Sequence, residues 1–187
     1  VGFLADIFER RGGEEYLGEP VTMAEHMLQG AYLAEQAGES EAIVTAALLH
    51  DIGHFTSEFG MFSMADTHDR YHEEAGANVL AGFFPSVVTD CVRHHVAAKR
   101  YLCAVDPDYF DKLSEASVHS LNLQGGPMVT REVEAFERNP NLADIVKVRR
   151  FDDAGKLPDM EIPDFSHYAP VVQRVVDAHC AQSQPAD

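Results

Sequence analysis

The chain has 187 residues, of which 45% are hydrophobic and 24% are charged, values typical of a globular protein that buries a sizeable core. Fourteen Lys and Arg residues against 31 Asp and Glu give a formal net charge of −17, which argues against a nucleic-acid partner because polyanions would be repelled. The sequence contains no run of about 18 apolar residues able to span a bilayer, and its three Cys residues lack CxxC spacing, which disfavours a disulfide framework or thiolate metal site.

The first half of the chain shows helical periodicity, and no segment alternates apolar and polar residues for long enough to predict a sheet. Thr22 and Glu25 have the spacing of a capping box at the start of a helix. A loop with several Phe and Met side chains is expected at 55–67, where it could act as a lid. The helices expected here cover about residues 1–11, 22–38, 40–53, 68–81 and 85–95.

The second half is also expected to be helical, with a short helix from Asp106-Pro107 and a turn at QGGPM, residues 124–128. Further helices are expected over about residues 130–138, 141–150 and 165–181, with a Pro- and Asp-rich segment at 152–164. We therefore expect one all-α domain over residues 1–187, a helical bundle with a flexible tail at 181–187. Its start lacks the pattern of a secretory signal, so a cytoplasmic protein without a membrane partner is expected.

An adjacent His-Asp pair, His50 and Asp51, stands near the end of a largely apolar predicted helix. Burying such groups costs free energy unless they have partners, and a metal ion supplies one. Neighbouring residues project about 100° apart on a helix, so the pair can hold one ion only near a helix end. Gly53 follows directly and favours such an end.

Other histidines are distributed over separate predicted helices, as in helical bundles that assemble a metal site from several helices. His26, His72 and His95 are the candidates, and imidazole nitrogens with carboxylate oxygens suit zinc or iron. Spacing alone does not separate His72 from His68, four residues earlier, or His95 from its neighbour His94.

The ordered pattern H…HD…H…H…D resembles the HD-domain superfamily in its dinuclear form, and the resemblance covers nearly the whole chain. The segments EYLGEPVTMAEH, ALLHDIGH, HHVAAKRYL, LSEAS and LQGGPM more narrowly resemble the HD-domain mixed-valent diiron oxygenases that break carbon–phosphorus bonds. Matching RRFDDAGK to that family selects Asp152 rather than Asp153. The ligand set that the resemblance implies is His26, His50, Asp51, His72, His95 and Asp152.

This resemblance implies two iron ions, as a mixed-valent Fe(II)/Fe(III) pair, and an enzyme that uses dioxygen. The implied substrate is a small organophosphonate, a 1-hydroxy-2-(amino or trimethylammonio)ethylphosphonate, cleaved to phosphate and to glycine or glycine betaine. Dinuclear HD-domain phosphohydrolases, which act on phosphate esters, share the six ligands, so hydrolysis is the alternative. Lys99, four residues after His95, favours the oxygenases, which carry this spacing.

The same resemblance assigns residues to the substrate. Tyr16 and Glu19 match a pair that guards the open iron and recognises the amino end of the substrate. The resemblance does not decide whether that end is a primary amine or a trimethylammonium group. His54 matches a residue that contacts the substrate or lies behind the metal ligands, and with Lys99 it is expected to assist at the diiron centre. The phosphonate-binding positions are Lys99, Ser117, Ser120, where the family carries Thr, and Gln124.

Overall fold

The computed structural model describes residues 1–16, 18–56, 67–69 and 71–183. These residues form α-helices and one short 3₁₀ helix, Phe110–Lys112, and no strand is present among them beyond an isolated bridge between Glu15 and Thr22. The prediction of an all-α fold is therefore confirmed. The helices are α1 Gly2–Arg11, α2 Met23–Gln36, α3 Glu41–Leu49, α4 Gly53–Thr56, α5 His72–Leu80, α6 Ser86–Val105, α7 Glu115–Leu123, α8 Thr130–Phe136, α9 Leu142–Ala154 and α10 Phe165–Ser183.

Four of these helices, α2, α3, α6 and α9, pack against one another as the centre of the bundle. Helix α3 is almost wholly apolar and buried, and it contacts α2, α6, α9 and α10. Side chains at the centre are fully buried, including Met27, Leu48 and Ile145. Removing this apolar surface from water is the main contribution to folding, and it places α3 at the middle of the molecule.

The predicted capping box at the start of α2 is present. The backbone N–H of Glu25 donates to the Thr22 hydroxyl at 3.2 Å, and the Thr22 N–H donates to the Glu25 carboxylate at 2.7 Å. Two N–H groups that the helix leaves unpaired are thereby satisfied.

Replacing Thr22 by Ala should lower the free energy of unfolding by about 1 kcal/mol, because the side-chain acceptor of the box is lost. Urea denaturation followed by circular dichroism measures this change. Thr22→Ser keeps the hydroxyl and serves as the control, with a change of less than about 0.5 kcal/mol. Equal losses in the two variants would contradict the capping role.

Just after the end of α3, the chain comes very close to the start of α5. Helix α3 ends at Leu49, the chain turns through residues 50–52, and α4 begins at Gly53. A Cβ atom at Gly53 would lie 1.8 Å from the carbonyl oxygen of His72, so a side chain there would push α5 away. Gly53 thus allows the first residue of α5 to lie beside the turn that carries His50 and Asp51.

Several helix boundaries differ from the predictions. Helix α5 begins at His72 rather than near residue 68, because Tyr71 adopts a left-handed conformation with φ of 51°. Helix α6 runs on to Val105 instead of stopping at 95, α7 was not predicted, and α9 continues to Ala154. Most of the loop expected at 55–67 lies outside the described residues. Helix α10 includes 181–183 of the expected tail, and 184–187 are likewise outside the description.

A search of the described helices found none that combines the length and the apolar character needed to cross a membrane.

Candidate metal centre and substrate cavity

The six side chains expected to bind metal meet at one place in the middle of the bundle, and all are buried. They come from five parts of the chain: α2, the turn after α3, the first residue of α5, α6 and α9. Their imidazole and carboxylate atoms form two groups that share one residue. The six are His26, His50, Asp51, His72, His95 and Asp152.

The first group contains His26, His50, Asp51 and Asp152. The Nε2 atoms of the two histidines lie 2.9 Å apart. Oδ2 of Asp51 lies 3.5 Å from each of these nitrogens, and Oδ1 of Asp152 lies 3.4 Å from Nε2 of His26. Two nitrogens and two carboxylates therefore converge within the space that one metal ion needs.

The second group contains His72, His95 and the other oxygen of Asp51. The Nε2 atoms of these histidines lie 3.1 Å apart, and Oδ1 of Asp51 lies 3.3 Å from each of them. Asp51 therefore turns one oxygen to each group. A carboxylate in this position is suited to bridge two ions.

Backbone carbonyls orient three of the four imidazole rings. Nδ1 of His26 lies 2.8 Å from the oxygen of Gly155, and Nδ1 of His50 and of His95 lie 2.8 and 2.7 Å from carbonyls three residues earlier. Because a carbonyl can only accept, each Nδ1 carries the proton and each Nε2 presents a lone pair. Two such lone pairs facing each other at 2.9 Å repel unless a proton or a metal ion lies between them, so the donor set fits metal ions.

The electrostatics of the first group also favour a cation. Burial would raise the pKa of Asp51, but His50 and the other histidines hold it well below its usual range. Burial likewise disfavours a charged His50, yet the carboxylates of Asp51 and Asp152 raise its pKa to about 9. These carboxylates remain ionised in the protein interior, where they attract positive charge strongly.

The structure decides between the neighbouring histidines that spacing in the sequence could not separate. His68 is exposed and precedes α5, with Nδ1 2.8 Å from the Thr67 hydroxyl, so it does not share a helical face with His72. His94 points away from the centre and lies beside the ring of Phe136, with ring centroids 6.1 Å apart. Neither joins the two groups.

A cavity opens beside the second group, and every residue expected to contact substrate lines it. Lys99 is only 3% exposed, and its Nζ donates to the Ser120 hydroxyl at 2.6 Å. Burial, helped by the nearby Arg149, lowers the pKa of Lys99 to about 7. The lining also includes Tyr16, Glu19, His54, Ser117, Ser120 and Gln124.

Aromatic rings stack on the histidines at the cavity wall. The ring of Tyr16 lies on that of His26 with centroids 3.9 Å apart, and the ring of His54 lies on that of His72 at 4.0 Å. Nε2 of His54 is 3.9 Å from Oδ1 of Asp51, and burial together with the charge of His72 lowers the pKa of His54 well below its usual range. His54 is therefore a neutral ring at the edge of the second group.

Two cationic residues of the site were missed by the sequence analysis. Arg149 is buried in α9, and it pairs with Asp152 at 2.6 Å and with Asp153, which also accepts from the Tyr109 hydroxyl. Its spacing of three and four residues before two aspartates was a usable signal. Lys156 follows α9 and lines the cavity, and nothing local in the sequence distinguished it from an exposed lysine.

The HD-domain family model matches residues 23–123, more than half of the chain. The chain belongs to the HD-domain family. A [1-hydroxy-2-(trimethylamino)ethyl]phosphonate dioxygenase (glycine-betaine-forming) from Leisingera caerulea is 72% identical over 96% of this chain and 91% of its own length. The hydroxymethylphosphonate dioxygenase of Gimesia maris is 41% identical over 88% of this chain and 83% of its own. An uncharacterised protein of Acanthamoeba polyphaga mimivirus is 35% identical over 90% of this chain and 78% of its own length. The predicted relationship to HD-domain oxygenases that act on phosphonates is confirmed.

Proposed function

We propose that this protein is a diiron oxygenase that uses dioxygen to cleave the C–P bond of [1-hydroxy-2-(trimethylammonio)ethyl]phosphonate, giving glycine betaine and phosphate. The observation that carries the proposal is the shared carboxylate of Asp51, which faces two groups of imidazole nitrogens beside the buried ammonium of Lys99. The similarity to the Leisingera dioxygenase, 72% identical, supports the substrate.

The two groups of donors are assigned to two iron ions. The first ion would be held by His26, His50, Asp51 and Asp152, and the second by Asp51, His72 and His95. Nitrogen and oxygen donors of this kind suit iron, and the smaller number of donors in the second group leaves positions for substrate and dioxygen. When bound, the iron pair would activate dioxygen and pass to it the electrons that the substrate carbon loses.

The reaction balances with one molecule of dioxygen per substrate. The C–H and C–P bonds at the hydroxyl-bearing carbon break, and that carbon becomes the carboxylate of glycine betaine. Of the two oxygen atoms added, one enters the carboxylate and the other completes the phosphate, and one proton is released. Carbon is oxidised and dioxygen is reduced, so no further reductant is consumed.

The residues around Lys99 are assigned to the phosphonate. The ammonium of Lys99 donates to Ser120, and the amide of Gln124, which carries N–H donors, lines the same cavity. Charge-assisted hydrogen bonds from such donors hold phosphonate oxygens more strongly than neutral donors do. They orient the substrate so that its hydroxyl-bearing carbon lies toward His72 and His95.

Tyr16 and Glu19 are assigned to the other end of the substrate. A trimethylammonium group cannot donate hydrogen bonds, so charge attraction and an aromatic face are the means of binding it. Glu19 supplies the charge and Tyr16 the ring, and both line the cavity. A primary amine would be bound by the same pair, but at the cost of unsatisfied N–H donors beside the ring.

Incubation of the iron-loaded protein with the trimethylammonium substrate under air and under argon tests the proposal. We expect stoichiometric phosphate and glycine betaine under air, and no phosphate under argon. A phosphate monoester of similar size serves as the hydrolysis control and should stay intact. Phosphate release that does not depend on oxygen, or release from the ester alone, would refute the oxygenase reaction. The primary-amine analogue, assayed in parallel, should give a higher KM.

A further inference from the structure

We propose that Glu73 is a positioning residue of the metal centre, which accepts a hydrogen bond from Nδ1–H of His72 and so turns Nε2 of that ring toward the second iron ion. The inference rests on the proposed function only in assigning that ion to the second group of donors. Glu73 is 8% exposed and follows His72 in the first turn of α5. It does not belong to the lining of the substrate cavity, so contact with substrate does not explain its burial.

His72 differs from the other three histidines in how its ring is held. Nδ1 of His50 and Nδ1 of His95 each face a carbonyl three residues earlier, in the preceding helical turn. His72 is the first residue of α5, and Tyr71 before it is left-handed, so no helical turn precedes it to supply such a carbonyl. In the part of the chain that the structure describes, no backbone carbonyl is hydrogen-bonded to Nδ1 of His72.

The carboxylate of Glu73 lies where that acceptor is missing. Its Oε2 is 3.5 Å from Nδ1 of His72, is buried, and has no hydrogen-bond partner among the described residues. A buried acceptor without a donor therefore faces a ring nitrogen without an acceptor, at a separation slightly longer than a hydrogen bond. When Nε2 binds a cation, Nδ1–H becomes a stronger donor, and a small rotation of either side chain brings the two atoms into contact.

The two groups of donors differ in charge, and Glu73 reduces this difference. The first group contains the carboxylate of Asp152 and one oxygen of Asp51, whereas the second contains only the other oxygen of Asp51. A carboxylate behind His72 adds negative charge to the second group without occupying a coordination position. The unpaired N–H groups at the start of α5 favour a carboxylate there. The second ion is thus held more tightly while its open positions remain free.

Glu73 also decides which edge of the His72 ring faces the metal. The ring of His54 stacks on that of His72 with centroids 4.0 Å apart, and this contact fixes the plane of the ring. Stacking does not fix the edge, because a half-turn about the Cβ–Cγ bond keeps the plane and exchanges each nitrogen with a carbon. A hydrogen bond to Glu73 selects the orientation in which Nε2 lies beside Asp51 and His95.

The first experiment measures the affinities of the two iron(II) ions by competition with a chelator, under argon and without substrate. Glu73→Met keeps the length of the side chain but has no oxygen acceptor, so it should weaken one iron about 10- to 100-fold and leave the other within about 3-fold. Glu73→Gln keeps an amide oxygen, and its loss should be intermediate. Glu74→Gln, at the exposed neighbour that pairs with Arg93, is the matched control and should bind iron as the unaltered protein does.

Thermal unfolding of the metal-free protein distinguishes positioning from packing. Without metal, Oε2 of Glu73 has no partner, so Glu73→Met should not lower the unfolding temperature. Unchanged affinity for both irons in the folded Glu73→Met protein would overturn the proposal. So would equal weakening of both irons, which indicates a general effect on packing, or equal losses in the Met and Gln variants, which excludes acceptance of the hydrogen bond.

The second experiment observes the ring N–H protons by proton NMR of the iron(II)-loaded protein, where unpaired electrons shift the signals of bound histidines away from all others. Each of the four ligating histidines should give one exchangeable signal. In Glu73→Met one signal should exchange with water faster, because it has lost its acceptor, while the three held by backbone carbonyls should persist. Four persistent signals in Glu73→Met, as expected for Glu74→Gln, would contradict the hydrogen bond.

These measurements separate the inference from the proposed reaction. Neither experiment contains substrate or dioxygen, so neither depends on turnover. The expected effects in a protein that shows no oxygen-dependent C–P cleavage would refute the reaction and keep the role of Glu73. Oxygen-dependent cleavage together with normal iron binding in Glu73→Met would do the reverse.

Discussion

Asp51→Asn should purify with less than half the iron of the unaltered protein and turn over at least about 100-fold more slowly. Asp51 directs one carboxylate oxygen to each group of histidines, and asparagine offers a single oxygen and no charge. Loss of a residue that merely supports a metal ligand costs about 10- to 100-fold, so loss of a shared ligand should cost more. Inductively coupled plasma mass spectrometry gives the iron content, and phosphate release gives the rate.

The control for Asp51→Asn is Asp144→Asn, which removes a partly exposed carboxylate near Lys147 and should keep both iron content and rate. Circular dichroism must show that the Asp51 variant is folded. A folded Asp51→Asn protein that retains two irons per chain and its full turnover rate would refute the bridging role.

Lys99→Met should raise the KM for the phosphonate about 10- to 100-fold while the iron content stays unchanged. The ammonium of Lys99 is buried beside the cavity, and a hydrogen bond to a charged group contributes about 1.5–3 kcal/mol. Methionine keeps the length and apolar stem of the side chain, so packing in α6 changes little. Steady-state kinetics measures KM, and Lys112→Met, at an exposed lysine, should behave as the unaltered protein.

The unaltered protein and Lys99→Met should also differ in how their phosphonate affinity depends on pH. The pKa of Lys99 is lowered to about 7, so its ammonium is present below that pH and is lost as the pH rises through it. Phosphonate affinity should therefore fall above about pH 7 in the unaltered protein, and Lys99→Met should lack this decrease. Titration of the phosphonate itself occurs in both proteins and cancels in the comparison. Parallel pH profiles would show that Lys99 does not contact the anion.

The turn that carries His50 and Asp51 could be predicted from the residues alone, whereas the choice of His72, His95 and Asp152 over their neighbours rested on the resemblance to the diiron oxygenases. A His-Asp pair at the end of an apolar helix, followed by glycine, has few structural explanations other than a metal site. The turn after α3 and the close approach at Gly53 account for that pattern physically. The start of α5 was predicted too early because spacing cannot reveal that Tyr71 takes a left-handed conformation.

The cationic wall of the cavity was harder to predict. The contact of Lys156 with Ser117 and the pair of Arg149 with Asp152 depend on how α9 packs against the rest of the bundle. Lys156 and Ser117 are 39 residues apart in sequence, and no local pattern encodes such a contact. Helix α7 was missed for a related reason, since its serines and asparagine are weak helix formers outside tertiary context.

Backbone atoms, rather than side chains, fix the tautomers of His26, His50 and His95. No single amino-acid replacement can remove a main-chain carbonyl. The tautomer that presents the Nε2 lone pair is therefore retained when the residues supplying those carbonyls are replaced. Selection for new substrates can therefore change the cavity wall while the candidate metal centre stays constant. Diversification in this family should accordingly be concentrated at wall positions such as Tyr16, Glu19 and Lys156.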